Sequence, residues 1–539
     1  MQTKYVVVLG SLLSGIGKGI VTASIAKMLD AYGYNAMPLK FDGYLNYDCG
    51  TMNPFRHGEV FVLDDGSEVD MDFGTYERFI GKSLDKAFSL TGGKVFSEII
   101  AKERKGDFLG TDVQIIPHVT DLVMEKIEKT SEERKLDVMI IEVGGTVGDI
   151  ENSYFVEALR QLALKRKVVI VDVTYVPELQ AVGEQKTKPT QIALRGLMQE
   201  GLRPDFIVCR ATRRLDDKTR KKIALFSGLS PSAIIDDNDT NSIYSLPAIL
   251  ASQNLDKMLI DKLGLELKKT NDEKVAALKV DPSANINTKK VNIAVVGKYV
   301  NLHDSYASVK EALVHSAMAA GADLKINWIE SELMEDSSFK NIDDILRGNS
   351  GILVPGGFGS RGTEGMIKAI RHARENKIPY LGLCLGMQLM TIEYARNVLG
   401  LEDANSAEFT DTKNPVIHIM EEQEKVTTKG ATMRLGAWEA KIKPGTLAHS
   451  IYGKESISER HRHRYEVNNA YRDALVEKGM VISATTPDGN LVEIVEWKDS
   501  FGIGTQAHPE FKSRPESPAP LFLQFIKAAM EAQRMKALV

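Results

Sequence analysis

The chain has 539 residues but only three cysteines, Cys49, Cys209 and Cys384, which lie far apart in sequence. So few thiols at such spacings argue against a disulfide framework and against a cysteine-rich zinc site. An excess of basic residues is also absent, because the formal net charge is −5. The bulk charge therefore gives no reason to expect nucleic acid as a partner.

Long hydrophobic runs are absent as well. The first apolar stretch, Val6–Leu9, is far too short for a signal sequence or a membrane span, and it predicts a buried strand. We therefore expect no membrane partner and a cytoplasmic location. The hydrophobic content of 43% and the charged content of 26% are typical of a globular protein, and the length suggests two to four domains.

Short apolar runs alternate with amphipathic stretches along the whole chain. The runs are Val6–Leu9, Val138–Ile141, Val168–Val171, Phe206–Val208, Ile293–Val296, Leu324–Trp328, Ile352–Val354 and Tyr380–Leu383. This alternation predicts an α/β protein with parallel sheets. Residues 268–290 are polar and charged, which predicts a linker between one domain at 1–267 and another at 291–539.

The most informative local pattern surrounds Cys384. An apolar run leads directly into Gly382-Leu383-Cys384-Leu385-Gly386. This is the thiol form of a nucleophile elbow, a strained turn from strand to helix that exposes one reactive side chain. A single buried cysteine is more often an inert core residue, so the prediction depends on partners elsewhere in the chain.

Candidate partners for the thiol occur on both sides of it. His508 could accept the thiol proton and Glu510 could orient the imidazole. The turn Val354–Gly359 contains Gly356-Gly357, whose backbone N–H groups could bind an oxyanion. Together these three patterns resemble a class I glutamine amidotransferase domain, in which a thiol attacks the glutamine side-chain amide and releases ammonia.

The N-terminal part has a glycine-rich turn at residues 10–20, directly after the first predicted strand. Backbone N–H groups and a helix N-terminus at such a turn can bind phosphates, and Lys18 could reach the terminal one. The strict P-loop pattern fails at Leu12 and at Gly19, which replaces the usual hydroxyl residue. A flexible turn without a ligand is the alternative.

Two carboxylates could replace that missing hydroxyl as magnesium ligands. Glu142 ends a predicted buried strand and is followed by the glycine-rich segment 143–151, and Asp72 lies in a second acidic stretch. A second basic segment, Lys186–Gln191, is joined by Lys222 further along. Lysines two residues apart in an extended segment share one face and could bind a triphosphate, although a solvated surface is the alternative.

Longer motifs then identify the resemblance. They are Asn46–Met52, His57–Val62, Gly74–Phe79, Gln114–His118, Glu142–Glu151, Lys186–Gln191 and Arg460–Asn468. In this order they closely resemble the CTP synthase family over almost the whole chain. The resemblance implies an N-terminal P-loop or Rossmann-like synthetase domain followed by the class I amidotransferase domain.

The resemblance also implies a reaction. ATP would phosphorylate the 4-oxygen of UTP, and ammonia from glutamine would displace phosphate from the 4-phosphoryl intermediate to give CTP. Mg²⁺ is the implied metal, GTP the implied activator and CTP the implied feedback inhibitor. Family members are homotetramers that can stack into filaments.

The resemblance assigns roles to particular residues of the synthetase domain. Lys18 would be catalytic, and the metal would bind Asp72 and Glu142. The residues implied for ATP are Gly15, Ile16, Gly17, Lys18, Gly19, Ile20, Asp72, Arg210, Asp239 and Thr240. The residues implied for UTP and CTP are Ser14, Asp149, Ile150, Glu151, Lys186, Thr187, Lys188, Pro189, Thr190, Gln191 and Lys222.

It also assigns residues to the glutamine-dependent half. Cys384, His508 and Glu510 would form the catalytic triad, and His57 would gate an internal route for ammonia. The residues implied for glutamine are Gly357, Leu385, Gly386, Met387, Gln388, Glu408 and Arg464. Arg361, Gly362 and Glu364 would belong to a lid through which GTP acts.

Two other interpretations remain at this point. A cobyrinic-acid-type amidase shares the two-domain plan but amidates a carboxylate; the Lys186–Gln191 and Arg460–Asn468 segments argue against it. A filament subunit with degenerate catalysis is the second. The residues that argue against it are the intact Cys384, His508, Glu510 and Lys18.

Overall fold

A computed structural model describes residues 2–10, 12–179, 181, 183–266, 268, 272–278, 289–335, 341–420, 423 and 430–538. The chain forms two compact units. The first unit comprises Met1–Asp48 and Thr75–Ala284, and the second comprises Cys49–Gly74 and Asn285–Val539. Most of the predicted linker 268–290 lies outside the described residues, and its described part includes a short helix, Asp272–Ala277.

The strands follow the predicted apolar runs closely. In chain order they are β1 (Lys4–Gly10), β2 (Ala36–Asp42), β3 (Phe61–Val62), β4 (Glu68–Val69), β5 (Ser89–Thr91), β6 (Val138–Val143), β7 (Val168–Tyr175), β8 (Glu178–Leu179), β9 (Glu184–Gln185), β10 (Phe206–Ala211), β11 (Ile234–Asn238), β12 (Lys289–Gly297), β13 (Ala322–Glu330), β14 (Gly351–Val354), β15 (Tyr380–Leu383), β16 (Asn405–Ser406), β17 (Pro415–Ile419), β18 (Arg434–Ile442), β19 (Ser456–His463), β20 (Tyr465–Val467), β21 (Met480–Thr485), β22 (Val492–Trp497) and β23 (Gly502–Thr505). All eight predicted runs lie inside strands, which confirms the α/β class.

Helices connect most of the parallel strands. They are α1 (Lys18–Ala31), α2 (Pro54–His57), α3 (Asp72–Ile80), α4 (Gly92–Lys105), α5 (Thr120–Glu133), α6 (Ser153–Lys165), α7 (Lys188–Gln199), α8 (Asp217–Ser227), α9 (Leu246–Ser252), α10 (Leu255–Leu263), α11 (Asp272–Ala277), α12 (Ala307–Ala320), α13 (Ile342–Leu346), α14 (Thr363–Glu375), α15 (Leu385–Asn397), α16 (Leu447–Tyr452), α17 (Arg472–Glu477) and α18 (Pro520–Leu538). In the described part of the chain, no helix is both long enough and apolar enough to span a bilayer.

The first unit is built on a seven-stranded parallel sheet in the order β11-β10-β7-β1-β6-β2-β5. Its strands are nearly continuous apolar runs because helices cover both faces of a parallel sheet. The carboxyl ends of all seven strands lie at one edge, so the segments that follow β1, β6, β10 and β11 meet there.

The second unit has a mixed nine-stranded sheet, in the order β13-β12-β14-β15-β23-β22-β21-β18-β19. The strands from β13 to β23 pair in parallel, as predicted, but β22, β21, β18 and β19 extend the sheet in antiparallel pairing. The predicted parallel sheet is therefore present in this half as part of a larger mixed sheet. Antiparallel strands need no helical crossover, so the helix–strand alternation did not reveal them.

The hairpin β3–β4 belongs to the second unit although it lies early in the chain. Its two strands pair antiparallel, and the Ala437 N–H donates to Asp64 O at 3.0 Å. A Cβ on Gly436 would lie 2.6 Å from the backbone nitrogen of Gly66, so the two segments are in close contact. The predicted domains are continuous in sequence, and their limits stay a prediction. The compact units are not continuous, because residues 49–74 belong to the second unit.

Packing in the first unit gives a direct test of its core. Phe155 on α6 is fully buried and stacks on Phe41 of β2, with ring centroids 4.4 Å apart. Phe155→Ala should lower the free energy of unfolding of this unit by about 3–5 kcal/mol because it leaves a cavity. Leu164→Ala, on the same helix but 77% exposed, should change it by less than about 0.5 kcal/mol. Denaturant unfolding would contradict the assignment if the two variants behaved alike.

Candidate functional site

The thiol lies at a strained turn between a buried strand and a helix. Cys384 follows β15 and has φ 48° and ψ −100°, a backbone conformation that non-glycine residues rarely adopt. A Cβ on Gly386 would lie 2.1 Å from Val354 O, so a side chain at this position would collide with the neighbouring strand. The predicted nucleophile elbow is therefore present in the backbone.

The histidine and the carboxylate converge on this turn from β23 and the segment that follows it. The Nδ1 atom of His508 lies 2.7 Å from Glu510 Oε1, and both side chains are buried. The backbone N–H of Cys384 donates to Thr505 O at 2.7 Å, which aligns the elbow with the strand that precedes His508. A hypothetical Cβ on Gly356 would lie 2.7 Å from His508 Cε1 and 3.7 Å from Cys384 Cβ, so both residues border the same glycine.

The electrostatics of the pair favour a protonated imidazole. Burial by itself lowers the pKa of His508, but the Glu510 carboxylate and the Cys384 thiol outweigh it and raise the pKa to about 10. The imidazolium is thus the expected form at neutral pH. A proton is then available for a leaving amine next to the thiol.

A candidate oxyanion site adjoins the thiol. The Gly356-Gly357 turn follows β14, and a Cβ on Gly357 would lie 3.3 Å from Leu385 Cδ2 at the start of α15. Leu385 is the first residue of its helix, where an N–H group has no intrahelical acceptor. Gly357 and Leu385 are therefore neighbours, and their N–H groups are the candidate donors to a developing negative charge.

A cavity of about 660 Å³ opens above the thiol. Its lining includes Gly357, Cys384, Gln388, Glu408, Arg464 and Tyr465. Five of the predicted glutamine-site residues, Gly357, Leu385, Gln388, Glu408 and Arg464, lie at or beside this space. Gly386 and Met387 are buried and support it from the helix.

The cavity lining includes the acidic side chain of Glu408 and the basic side chains of Arg462 and Arg464. Glu408 accepts from the Gly359 N–H at 2.7 Å, and burial raises the pKa of its carboxyl although that N–H group and Lys298 oppose the rise. Arg464 donates to Thr432 Oγ1 at 2.6 Å and to Gln423 Oε1 at 2.5 Å. A ligand with both an ammonium and a carboxylate group would find an opposite charge for each.

A second, smaller cavity of about 70 Å³ also reaches the thiol. Its lining includes Pro54, Val60, Tyr306, Val309, Cys384 and Phe511. His57, predicted to be a gate, ends α2 between two of these positions but is exposed and does not line the cavity. The gating role of His57 stays a prediction.

The predicted lid residues lie at the start of α14. Arg361 pairs with Glu332 at 2.6 Å, and its guanidinium lies over the rings of Phe55 and Tyr299 at 5.6 and 5.9 Å. Gly362 has φ +71°, and a Cβ there would lie 2.2 Å from Ser331 Oγ. Glu364 pairs with Arg396 at 2.8 Å. The segment is thus packed against the loop that follows β13.

Two functional candidates were missed in the sequence. Lys298 is buried and donates to Phe358 O at 3.0 Å, which fixes the turn after Gly357, and burial lowers the pKa of its amine to about 8. Gln506 donates from Nε2 to Cys384 Sγ at 3.5 Å. Each residue directly follows a parallel strand, β12 or β23. Functional side chains often lie at this position, so it was the feature of the sequence that could have identified them.

In the first unit, the glycine-rich turn leads into α1 without a side-chain cap or an acidic residue in the first turn. Gly15 and Gly17 have φ +74° and +97°, so both need the freedom of glycine. Lys18 is buried and donates from Nζ to Gly145 O. The helix N-terminus and the lysine are therefore arranged as in an anion site.

Three of the predicted ATP residues lie beside this turn. Arg210 pairs with Asp237 at 2.9 Å and with Asp239 at 2.7 Å, and a Cβ on Gly17 would lie 4.0 Å from Asp237 Oδ2. Burial raises the pKa of Asp237 to about 6 although Arg210 opposes the rise. Thr240 follows and donates to Ser242 O at 2.9 Å.

The predicted UTP residues lie in loops and on the helices α7 and α8 of the same unit. The Asp149 carboxylate accepts from the Thr146 N–H at 2.7 Å, Ile150 is 85% exposed and Ser14 is exposed. Lys186 pairs with Glu184 at 2.6 Å. The Lys222 ammonium helps to lower the pKa of Glu184, after the larger contributions of Lys186 and Lys218. The two lysines thus face one carboxylate.

The segment Lys186–Gln191 is not extended, which corrects the prediction of two lysines on one strand face. Helix α7 begins at Lys188, with Pro189 in its first turn, because proline suits that position. Thr187, Thr190 and Gln191 are buried, and Gln191 Nε2 donates to Thr187 Oγ1 at 3.1 Å. Lys188 is exposed at the helix start.

The two candidate metal ligands differ in their setting. Glu142 lies near the end of β6, is buried and accepts from the Tyr76 hydroxyl. Asp72 starts α3 and belongs to the second unit, and its N–H donates to Asp70 Oδ1 at 2.9 Å. Within the described ranges, no group of three or more His, Cys, Asp or Glu side chains is arranged to hold a metal ion.

Comparisons with known proteins agree with both halves of this description. The family model described as CTP synthase N-terminus matches residues 4–265, and that of class-I glutamine amidotransferase matches residues 301–528. A CTP synthase of Caldanaerobacter subterraneus is 49% identical over 534 residues, which cover 98% of each chain. One of Archaeoglobus fulgidus is 48% identical over 536 residues, covering 98% of this chain and 99% of that one.

A solved glutaminase domain of Trypanosoma brucei CTPS, with bound acivicin, is also similar. It is 42% identical and covers 45% of this chain and 94% of its own, with a TM-score of 0.43. The full-length matches decide against the cobyrinic-acid-type amidase. With a synthetase half and a glutaminase half that match over nearly all their length, this chain belongs to the CTP synthase family, whose members aminate UTP to CTP with ammonia from glutamine.

Proposed function

We propose that Cys384, His508 and Glu510 are the catalytic residues of glutamine hydrolysis in this enzyme. The observation that supports this most directly is the 2.7 Å contact between His508 and Glu510 beside a thiol held on a strained elbow. The thiol also borders a cavity large enough for an amino acid, about 660 Å³.

Glutamine would bind in that cavity through both of its charged ends. Its ammonium group would pair with Glu408, the acidic side chain of the lining, and its carboxylate with Arg464, because the lining residue Arg462 is already paired with Glu68 at 2.8 Å. The side-chain amide would then extend toward Cys384. Gln388 would shape the floor, since its Nε2 donates to Tyr465 O at 2.9 Å.

Thioester formation would follow. Cys384 Sγ attacks the amide carbon, and the oxygen takes the negative charge and accepts from the N–H groups of Gly357 and Leu385. His508 gives its proton to the nitrogen, the C–N bond breaks and ammonia leaves. Water then attacks the thioester while His508 takes up a proton from it, which releases glutamate and restores the thiol.

The first unit would bind the nucleotides. The phosphates of ATP would bind at the Gly15–Ile20 turn, with Lys18 near the transferred group and Arg210, Asp239 and Thr240 beside it. UTP would use Ser14, Asp149–Glu151, Lys186–Gln191 and Lys222, and CTP would inhibit there. Transfer of the γ-phosphoryl group to O4 of UTP makes a leaving group that ammonia displaces from C4, giving CTP, ADP and phosphate.

Mg²⁺ would be held by Glu142 and Asp72, whose hard carboxylate oxygens suit this ion. When bound, the ion neutralises phosphate charge. Glu142 fits such a role because it is a buried carboxylate near a strand end in the unit that contains the phosphate turn. GTP would act through the lid residues Arg361, Gly362 and Glu364, and His57 would control the passage of ammonia.

Assembly belongs to the same proposal. The family resemblance implies a homotetramer able to form filaments, and Leu109 at 93% and Ile150 at 85% exposure are apolar residues of the first unit that such contacts would cover. Ile150 lies among the proposed UTP residues, which favours a UTP site completed by a second copy. A reaction that needs a reduced thiol and ATP fits a cytoplasmic setting.

The first test separates the two halves of the reaction. Cys384→Ala should lower glutamine-dependent CTP synthesis at least about 1000-fold and leave ammonium-dependent synthesis unchanged, because only the ammonia source is lost. The absorbance change on conversion of UTP to CTP measures both. Cys209→Ala, which removes a thiol buried in the first unit, should retain both activities. Glutamine-driven turnover in Cys384→Ala would contradict the thioester mechanism.

Lys18→Ala should instead impair both activities, by about 100-fold or more, because the charge near the transferred phosphoryl group is lost. Lys27→Ala on the same helix is the matched control and should stay within about twofold of the parent. Normal ammonium-dependent synthesis by Lys18→Ala would remove Lys18 from the catalytic set. If the unmodified protein assembled into filaments but made no CTP, the alternative of a filament subunit with degenerate catalysis would be favoured.

The His508–Glu510 pair should also give a characteristic pH dependence. Because the folded pKa of His508 is raised to about 10, its stabilising contribution is complete below about pH 6.5 and is lost as the pH rises toward 10. The difference in Tm between the parent and Glu510→Gln should therefore be largest near pH 6 and shrink toward pH 10. Glu477→Gln, at an exposed carboxylate, should show no such trend. A constant difference for Glu510→Gln would contradict the ion pair.

A further inference from the structure

The motif Arg460-His461-Arg462-His463 contains four basic residues to which the proposed glutaminase chemistry gives no role. These residues end β19, where successive side chains alternate between the two faces of the strand. The arginines therefore point one way and the histidines the other. All four side chains are wholly or mostly buried, which is a large desolvation cost for two arginines.

On the arginine face, Arg462 is paired with the hairpin β3–β4. Its Nε lies 2.8 Å from Glu68 Oε1, and the Glu68 side chain is fully buried. The second carboxylate oxygen of Glu68 accepts from the Ala431 N–H at 3.2 Å. The carboxylate is thus bonded on both oxygens and holds the guanidinium in one place.

Arg462 also contacts two parts of the catalytic site. Its guanidinium lies over the Phe358 ring at 5.1 Å, and Phe358 directly follows Gly357 of the candidate oxyanion turn. The Arg462 carbonyl oxygen lies 3.9 Å from Cys384 Sγ. Arg462 lines both the large and the small cavity at the thiol. Arg462 therefore contacts the hairpin and the oxyanion turn through its side chain and the thiol through its backbone carbonyl.

The neighbouring residues hold the strand from both faces. Arg460 pairs with Asp64 at 2.7 Å, and its carbonyl accepts from the His508 N–H at 2.7 Å. Burial by itself raises the pKa of Asp64, but Arg460, with a smaller effect of Lys512, lowers it to about 2. On the opposite face His461 and Arg434 each contact Glu493 at 2.7 Å.

We propose that Glu68 and Arg462 are positioning residues for thioester formation, an inference that rests on the glutaminase site proposed above. Glu68 fixes the Arg462 guanidinium, and the guanidinium holds Phe358 and hence the N–H of Gly357 where the oxyanion forms. Neither residue takes part in the chemical step. The ends of the substrate bind elsewhere in the cavity, so loss of the pair should act on kcat and leave KM largely unchanged.

The experiment uses the full-length enzyme with the substitution Glu68→Gln, which removes the charge and keeps the shape. The kcat for glutamine-dependent CTP synthesis should fall about tenfold or more, since a misplaced oxyanion donor costs at least this much. The KM for glutamine should stay within about twofold, and ammonium-dependent synthesis should be unchanged. That last activity reports that the protein is folded.

A matched control breaks a buried ion pair elsewhere in the same unit. Glu393 is fully buried and contacts Arg374 at 2.7 Å. Like Glu68→Gln, the substitution Glu393→Gln removes a buried carboxylate that pairs with an arginine. It should nevertheless keep kcat within about twofold of the parent. A similar loss of kcat in both variants would overturn the proposal, because it would show a general effect of destabilisation.

A second variant tests the path through the aromatic ring. Phe358→Leu keeps the ion pair but removes the ring under the guanidinium. If Glu68 and Phe358 both act through Arg462, their effects should not be independent. The double variant Glu68→Gln/Phe358→Leu should then lose less activity than the product of the two single losses. A multiplicative loss would overturn the proposal, as would a parent-like kcat in both single variants. If Glu68→Gln loses ammonium-dependent synthesis too, Phe358→Leu alone decides: a lowered kcat at constant KM supports the proposal, and an unchanged kcat overturns it.

Cys384→Ala distinguishes this inference from the function on which it rests. Glutamine-driven synthesis by Cys384→Ala would mean that the glutaminase proposal itself is wrong. An inactive Cys384→Ala together with a parent-like Glu68→Gln would leave the glutaminase intact and overturn only the positioning role.

Discussion

Parallel strand pairing is the constraint on which both halves of this molecule depend. Every strand of a parallel sheet delivers its carboxyl end to the same edge, so residues far apart in sequence are collected there. In the first unit this edge gathers the glycine-rich turn, Glu142 and Arg210. In the second it gathers the Gly356-Gly357 turn, Cys384 and the segment before His508. In each unit the candidate functional residues therefore lie where parallel strands end.

Burial lowers the pKa of two cations of the second unit, and the neighbours of each cation decide the direction of its net shift. His508 is buried beside Glu510 and the thiol, and its pKa rises to about 10 despite the desolvation cost. Lys298 donates mainly to backbone carbonyls, and burial lowers its pKa to about 8. A close carboxylate stabilises a buried cation far more than carbonyl dipoles do. The proton is thus held next to the Cys384 thiol.

The hairpin β3–β4 shows that family segments and compact units are different divisions of this chain. Residues 49–74 lie inside the segment that matches the N-terminal family model, yet they belong to the second unit. They supply Asp64 and Glu68 to the buried arginines of β19 and line the cavity above the thiol from Gly50 to Phe55. The cavity at the Cys384 thiol is therefore lined by residues of both family segments.

The sequence by itself determined the local features. Apolar runs specified the strands, and Gly-x-Cys-x-Gly specified the elbow, because both signals arise from backbone geometry within a few residues. The antiparallel half of the second sheet, the helix start at Lys188 and the roles of Lys298 and Gln506 were not predicted. Only the tertiary structure decided that Glu68 meets Arg462, 394 residues away. Such a pairing depends on packing between distant segments, which no periodicity or local motif encodes.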